Sequence, residues 1–248
     1  MAKTRARRPA PASYSMPELS GLYGRPPFEY RDAHQLLVMF RTDPRVLQRL
    51  IPAPLLPDAQ GRMFATVSHF YTTGFGHYYE ASVVGLASFK RRPVNYSLYL
   101  VLDNDIAIAG GREIWGFPKK LGRVALSEKD GILRGSAERG GITLIDCALQ
   151  LAAFGSPDEI TAGSPEYVCR KLLPSVVVDA PPEVFQLTST ALTNIVVREV
   201  NKGPATLQFG ASPADRIADI PVVEVTGGYY FRIDFTLGDG AIIHDYLA

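Results

Sequence analysis

Two lysines stand side by side in GFPKKLG, Gly116 to Gly122, directly after a proline and among apolar neighbours. A lysine amine in water has a pKa of about 10.4, so near neutrality almost none of it carries the lone pair that attack on a carbonyl requires. Burial among apolar groups disfavours the ammonium form, and a second cation close by disfavours it further. The segment holds the means for both: Pro118 restricts the backbone, Trp115 and Phe117 offer bulky walls, and Lys120 is the adjacent charge. Lys119 is therefore a candidate imine-forming nucleophile and Lys120 a candidate for tuning its charge state. The competing assignment is an exposed turn, where adjacent lysines usually sit.

Other chemistries find little support. There is no GxGxxG, no GxxxxGK[ST], no GxSxG and no HExxH. His69 and His77 flank a Gly74-Phe75-Gly76 turn and could meet across a hairpin, but ordinary hydrogen-bonded histidines are the expectation, with no metal site. Cys147 and Cys169 form neither a CxxC nor a zinc spacing, which points to a reducing compartment. Twenty-six basic and twenty-five acidic residues give a net charge of +1. That leaves no global field for nucleic acid or an anionic membrane. Without a membrane-spanning run or a secretory segment, a cytoplasmic location is expected.

The elements that must position the lysines read as strands. HQLLVMFRT, MFATVSHFY, EASVVGLASF and NYSLYLVLD precede them, several without polar alternation, as expected where both faces are covered. After them, Asp130-Gly131 and Arg139-Gly140-Gly141 mark successive hairpins. Short helices are expected over DPRVLQRLI, IAIAGGREIW and PEYVCRKLL. The first 26 residues, with Lys3, Arg5, Arg7 and Arg8 among prolines, read as a flexible arm, and residues 27–248 as a single domain. The fold class is mainly β (α+β), a closed antiparallel β-barrel with a few short helices.

The passage LDNDIAIAGGREIWGFPKKLG, Leu102 to Gly122, resembles the imine-forming segment of the acetoacetate decarboxylase family, whose members carry an LDN, AIA, GRE and PKKLG succession. Further matches are FRTDP at 40 to 44, GHYYE at 76 to 80, GPATLQ at 203 to 208, DIPVVEV at 219 to 225 and HDYL at 244 to 247. The similarity covers nearly everything after Pro27. It implies that Lys119 is the Schiff-base lysine, that Lys120 is the neighbour shaping its electrostatics, and that Glu80 is the carboxylate partner. It also implies a homo-oligomer and no cofactor.

Two positions depart from the family pattern. An arginine of decarboxylating members aligns with Ala33, and a second glutamate aligns with Ala65. Arg31 could stand in for the first only by a shift in alignment. Since those charges handle the departing carboxylate, their loss bears on decarboxylation more than on imine formation. The function expected is a Schiff-base lyase that condenses a short keto acid such as pyruvate with an aldehyde and then eliminates water. The alternatives are acetoacetate decarboxylation and a non-catalytic barrel that binds a small ligand.

Overall fold

Each of the four strands expected before the double lysine forms, and each begins before the expected segment. In the computed structural model, which describes residues 13–248, they are β1 (Phe28–Arg41), β3 (Arg62–Thr72), β4 (Gly76–Phe89) and β5 (Arg92–Leu102), with the short β2 (Leu56–Pro57) between the first two. Beyond them lie β6 (Lys119–Leu121), β7 (Arg123–Lys129), β8 (Ile132–Arg139), β9 (Ile142–Gln150) and β10 (Ala153–Phe154). The chain ends with β11 (Glu166–Leu173), β12 (Val184–Gly203), β13 (Ala205–Phe209) and β14 (Glu224–Asp245). Helices are short: α1 (Pro44–Leu50), α2 (Asp105–Gly110) continuing into a π-helical turn over Gly111–Trp115, α3 (Pro157–Thr161) and a 3₁₀ turn over Arg216–Asp219.

The mainly β class expected from the sequence is what the chain adopts. One sheet runs in the order β2-β4-β3-β1-β14-β12-β11-β5-β6, with β10 beside β12 and a further pairing of β4 with β5; the other runs β13-β9-β8-β7. The larger sheet is mixed rather than purely antiparallel, because β5 pairs in parallel with β6 and with β11. A parallel pair needs a crossover, and between β5 and β6 the helical segment from Asp105 to Trp115 supplies it. The two hairpin signals hold: Asp130 and Gly131, then Gly140 and Gly141, all adopt positive φ between paired strands.

PEYVCRKLL is a strand, not the helix expected. Residues Glu166 to Leu173 pair with β12 along their whole length and bury Val168 and Cys169, so tertiary pairing overrides a weak local preference. The helix α3 was instead marked by Ser156-Pro157-Asp158-Glu159, a capping box in which the Ser156 N–H donates to the Glu159 side chain at 2.9 Å. Of the expected N-terminal arm, residues 1–12 lie outside the described residues. Further on, Tyr23 is buried, accepts a 2.8 Å hydrogen bond from the Ser15 hydroxyl at its carbonyl, and donates its own hydroxyl to Glu113 of the π-helical turn.

The large sheet is covered on both faces. One core cluster joins it to the four-stranded sheet through Val67, Ala81, Val83 and Val101 against Val124, Leu133, Ile145 and Leu149. A second, aromatic cluster on the other face gathers Tyr30, Phe70, Tyr78, Leu100, Phe117 and Phe235. At roughly 1.5–3 kcal/mol for each fully buried large apolar side chain, these two clusters fix strand register, since a one-residue slip would exchange the faces.

A buried charge pins β1 to β12 and β14. Asp234 accepts from Arg198 at 2.9 and 2.5 Å and from the Asp32 N–H at 2.8 Å; the Arg198 hydrogen bonds above all hold its carboxyl at about 2, below the ordinary 3.8. A depressed folded-state value stabilises above the unfolded value and loses that contribution as pH falls through the folded one. Thermal melting followed from pH 6 to pH 2 is therefore expected to show a loss of stability between about 4 and 2 that Asp234→Asn reduces. The same variant should melt roughly 5 °C lower at neutral pH.

Candidate active site

Lys119 and Glu80 come from the two strands that flank β5 near its C-terminal end. Glu80 on β4 is paired with Leu102, and Lys119 on β6 with Leu100, so one strand serves as the ruler for both. Their side chains meet with Lys119 Nζ 2.9 Å from Glu80 Oε2, at side-chain exposures of 7% and 13%. The approach is too bent for a hydrogen bond, and Glu80 Oε2 is buried without a hydrogen-bond partner among the described residues. The amine also lies 5.6 Å from the Phe117 ring centroid and 5.7 Å from that of Tyr78. The separation of thirty-nine positions along the chain is thus closed by sheet pairing, as imine chemistry at Lys119 would require.

The motif residues around the pair explain its placement. Asp103 accepts from the Tyr79 N–H at 2.9 Å, one residue before Glu80, while Asn104 caps α2 through the Ala107 N–H at 2.8 Å and donates to Phe75 O at 3.0 Å. The LDN motif therefore ties the strand of Glu80 to the helix that leads to Lys119. Gly116 ends the π-helical turn at φ +81°, a backbone conformation suited to glycine, and its N–H donates back to Arg112 O at 3.1 Å. Arg112 in turn donates to Lys119 O at 3.2 Å. The stem of Lys119 runs across Gly111, where an added Cβ would lie 2.7 Å from Cδ and Cε and 3.2 Å from Nζ.

The pair opens into a cavity of about 80 Å³. Among the described residues that line it, Lys119 is the only cation and Glu80 the only carboxylate. The remaining polar groups are neutral, including Tyr30, Gln35, Thr66, Ser82, Ser97 and Tyr167, and Phe70, Phe117 and Phe235 close much of the rest. Of the aromatic residues named in the sequence segment, Phe117 lines this space, whereas Trp115 is buried to one side and donates to Gly238 O at 3.1 Å. Tyr78 precedes Glu80 by two positions on a strand, a spacing from which its presence here was readable; nothing in the sequence marked Tyr30.

Lys120 lies elsewhere. Successive residues of a strand face opposite ways, and its Nζ makes a 2.5 Å ion pair with Asp215 Oδ1. Asp215, buried, also receives the Tyr99 hydroxyl at 2.6 Å and lies 3.3 Å from Arg139 Nε. Burial pulls that carboxyl up, but hydrogen bonds from Lys120 and Tyr99, with the charges of Lys120 and Arg139, outweigh it and hold the group below its usual value. The second charge of the KK pair is thus committed to an acid on the other side of β6. It lines a larger open cavity of about 460 Å³ that contains neither Lys119 nor Glu80. Lys120→Met is expected to lower stability by about 1–3 kcal/mol in denaturant melts while leaving covalent trapping at Lys119 intact.

The two departures from the family pattern fall differently. Ala33 is fully buried in the aromatic cluster that surrounds the cavity. Ala65 belongs to the opposite core; the β3 residues that line the cavity are Phe70 and its own neighbour Thr66, which lies 2.7 Å from Ser82. Arg31 is exposed and bonded to Glu29 at 2.8 Å. His69 and His77 do meet, Nε2 to Nδ1 at 2.8 Å, yet no group of three or more His, Cys, Asp or Glu capable of holding a metal occurs among the described residues. Both cysteines are free and buried, and burial pushes the thiols of Cys147 and Cys169 up to about 12. No helix among the described residues is long and apolar enough to cross a membrane.

The profile of the family described as acetoacetate decarboxylase (ADC) matches residues 9–247. Acetoacetate decarboxylase 1 of Mesorhizobium japonicum is 32% identical over 239 residues, 95% of this chain and 96% of that protein. The crystal structure of acetoacetate decarboxylase from Legionella pneumophila superposes with a TM-score of 0.89 at 26% identity, covering 99% of this chain and all of that one. The enduracididine biosynthesis enzyme MppR, complexed with the condensation product of pyruvate and imidazole 4-carboxaldehyde, shares the fold at a TM-score of 0.85 and 20% identity, over 96% of this chain and 98% of that one. From the profile match across nearly its whole length, and from relatives that align end to end, this chain belongs to the acetoacetate decarboxylase family and is a lyase.

Proposed function

We propose that Lys119 forms an imine with a short keto acid and that Glu80 is the proton carrier of the reaction. The observation that carries this reading is the buried amine standing 2.9 Å from an otherwise unbonded carboxylate at the wall of a small cavity. Proton transfer from the ammonium to Glu80 leaves a neutral amine that adds to the substrate carbonyl. The carbinolamine oxygen then leaves as water with the proton that Glu80 returns, giving a protonated imine and a carboxylate. That iminium withdraws electrons from the adjacent carbon. Loss of a proton from that carbon to Glu80 gives an enamine, which attacks an aldehyde carbonyl, whose oxygen takes the proton back. Elimination of water and hydrolysis release an unsaturated keto acid and restore the amine.

Aldol condensation followed by dehydration is favoured because, among the described residues, the cavity lining offers no cation besides Lys119 to receive a departing carboxylate. Decarboxylation of a β-keto acid is the second reading, favoured by relatives of about one-third identity that are named acetoacetate decarboxylases. There the iminium accepts the electrons left by carbon dioxide, and the Glu80 carboxylate takes a proton from solvent and passes it to the enamine carbon. Borohydride reduction in the presence of pyruvate, read by peptide mass, tests the shared step: an adduct on Lys119 is expected, and an unmodified Lys119 defeats both readings. Carbon dioxide release from acetoacetate, set against an aldehyde-dependent ultraviolet-absorbing product from pyruvate, separates them.

A further inference from the structure

Resting on the imine reading, we infer that the paired phenols of Tyr30 and Tyr78 form a neutral hydrogen-bonding subsite for the carboxylate of the keto acid. Both residues are buried, both line the cavity, and their hydroxyl oxygens are 3.1 Å apart. Two phenols carry two O–H hydrogens, and the bond between them uses one. The other has no acceptor among the described residues: Glu80 Oε2 is without a hydrogen-bond partner, and neither phenol oxygen makes a second bond. A buried donor without an acceptor costs free energy that a ligand oxygen recovers.

Position and rigidity favour a ligand in contact with the imine. On the cavity face of β4 the residues follow as Tyr78, Glu80 and Ser82, opposite Phe70, Ser68 and Thr66 of β3, so Tyr78 leaves its strand one repeat, roughly 7 Å, from the proton carrier on the same face. Tyr30 is stacked on Phe235 with ring centroids 4.3 Å apart, and Tyr78 packs against Phe70 at 5.3 Å, so neither ring can turn away without disturbing the core. Thr66 and Ser82, 2.7 Å apart, repeat the arrangement on the other side of Glu80 with one spare hydrogen of their own. The phenol is the more acidic donor of the two and the stronger partner for a carboxylate, leaving the aliphatic hydroxyls for an uncharged oxygen. With Lys119 committed to the imine, neutral donors are what this cavity has for an anionic end.

The test compares pyruvate with acetone, which presents the same ketone without a carboxylate, in borohydride trapping at Lys119 over a range of concentrations. In the Tyr30→Phe/Tyr78→Phe protein the half-saturating pyruvate concentration is expected to rise about 10–100-fold, and that of acetone by less than threefold. Each single replacement leaves one hydrogen for the ligand and should shift pyruvate by less than about fivefold. Equal losses for the two compounds, or no loss in the double variant, would overturn the subsite while leaving the role of Lys119 standing. Absence of an adduct with either compound in the unaltered protein overturns both. Should the double variant not fold by circular dichroism, Tyr30→Phe/Tyr78→Met removes the same hydroxyls with a more adaptable side chain and is held to the same outcomes.

Discussion

Replacing Lys119 by arginine is expected to abolish turnover, by at least about 10⁴-fold, and to eliminate the borohydride adduct altogether. The guanidinium keeps a positive charge opposite Glu80 and therefore keeps most of the electrostatics of the pocket, but it has no free amine lone pair with which to form an imine. That contrast makes the substitution decisive between catalysis and mere binding. A protein that only held a keto acid through charge would retain much of its affinity in the arginine variant, as measured by calorimetry. One that forms a covalent iminium would lose every trace of product, while melting near the unaltered protein and giving no modified peptide after reduction.

Gly111→Ala is expected to lower kcat about 100-fold at almost unchanged melting temperature. The new methyl would sit 2.7 Å from two carbons of the Lys119 stem, well inside contact distance, and the group that can yield is the lysine tail rather than backbone. The tail shifts by the order of 1 Å, a displacement that costs roughly 100-fold when a reacting atom must be held in line. Alanine is also favoured over glycine in a helical turn by about 1 kcal/mol, which offsets the lost packing. Steady-state kinetics beside thermal melting check the claim. A variant with normal kcat would mean that the stem tolerates rerouting, and one that fails to fold would mean that the clash falls on the backbone.

Much of this arrangement was legible in the residues themselves. Turn pairs such as Asp130-Gly131 demand positive φ and so announced their hairpins, and β-branched runs such as EASVVGLASF announced strands covered on both sides. Glu80 was marked only by likeness to a family motif, because its proximity to Lys119 depends on both strands pairing with β5. Tyr30 could not be found at all: its partner Tyr78 lies across two intervening registers, and such pairing leaves no local trace. The parallel contacts of β5 and the strand over Glu166–Leu173 were missed for the same reason, since each is decided by a neighbour distant in sequence. The partner of Lys120, Asp215, was not legible either, since adjacency along a strand is not adjacency in space.

Consecutive positions on an extended backbone look out on different environments, so a doubled cation in a strand is two separate devices, here an amine facing a cavity and an anchor for Asp215. Where activation by a like charge is sought in a β-rich enzyme, the informative neighbours are those two positions away or across the ladder. By the same logic, the anchor lysine can be exchanged for arginine at little cost to chemistry, whereas exchanging the order of the two functions would demand rebuilding both sides of the sheet.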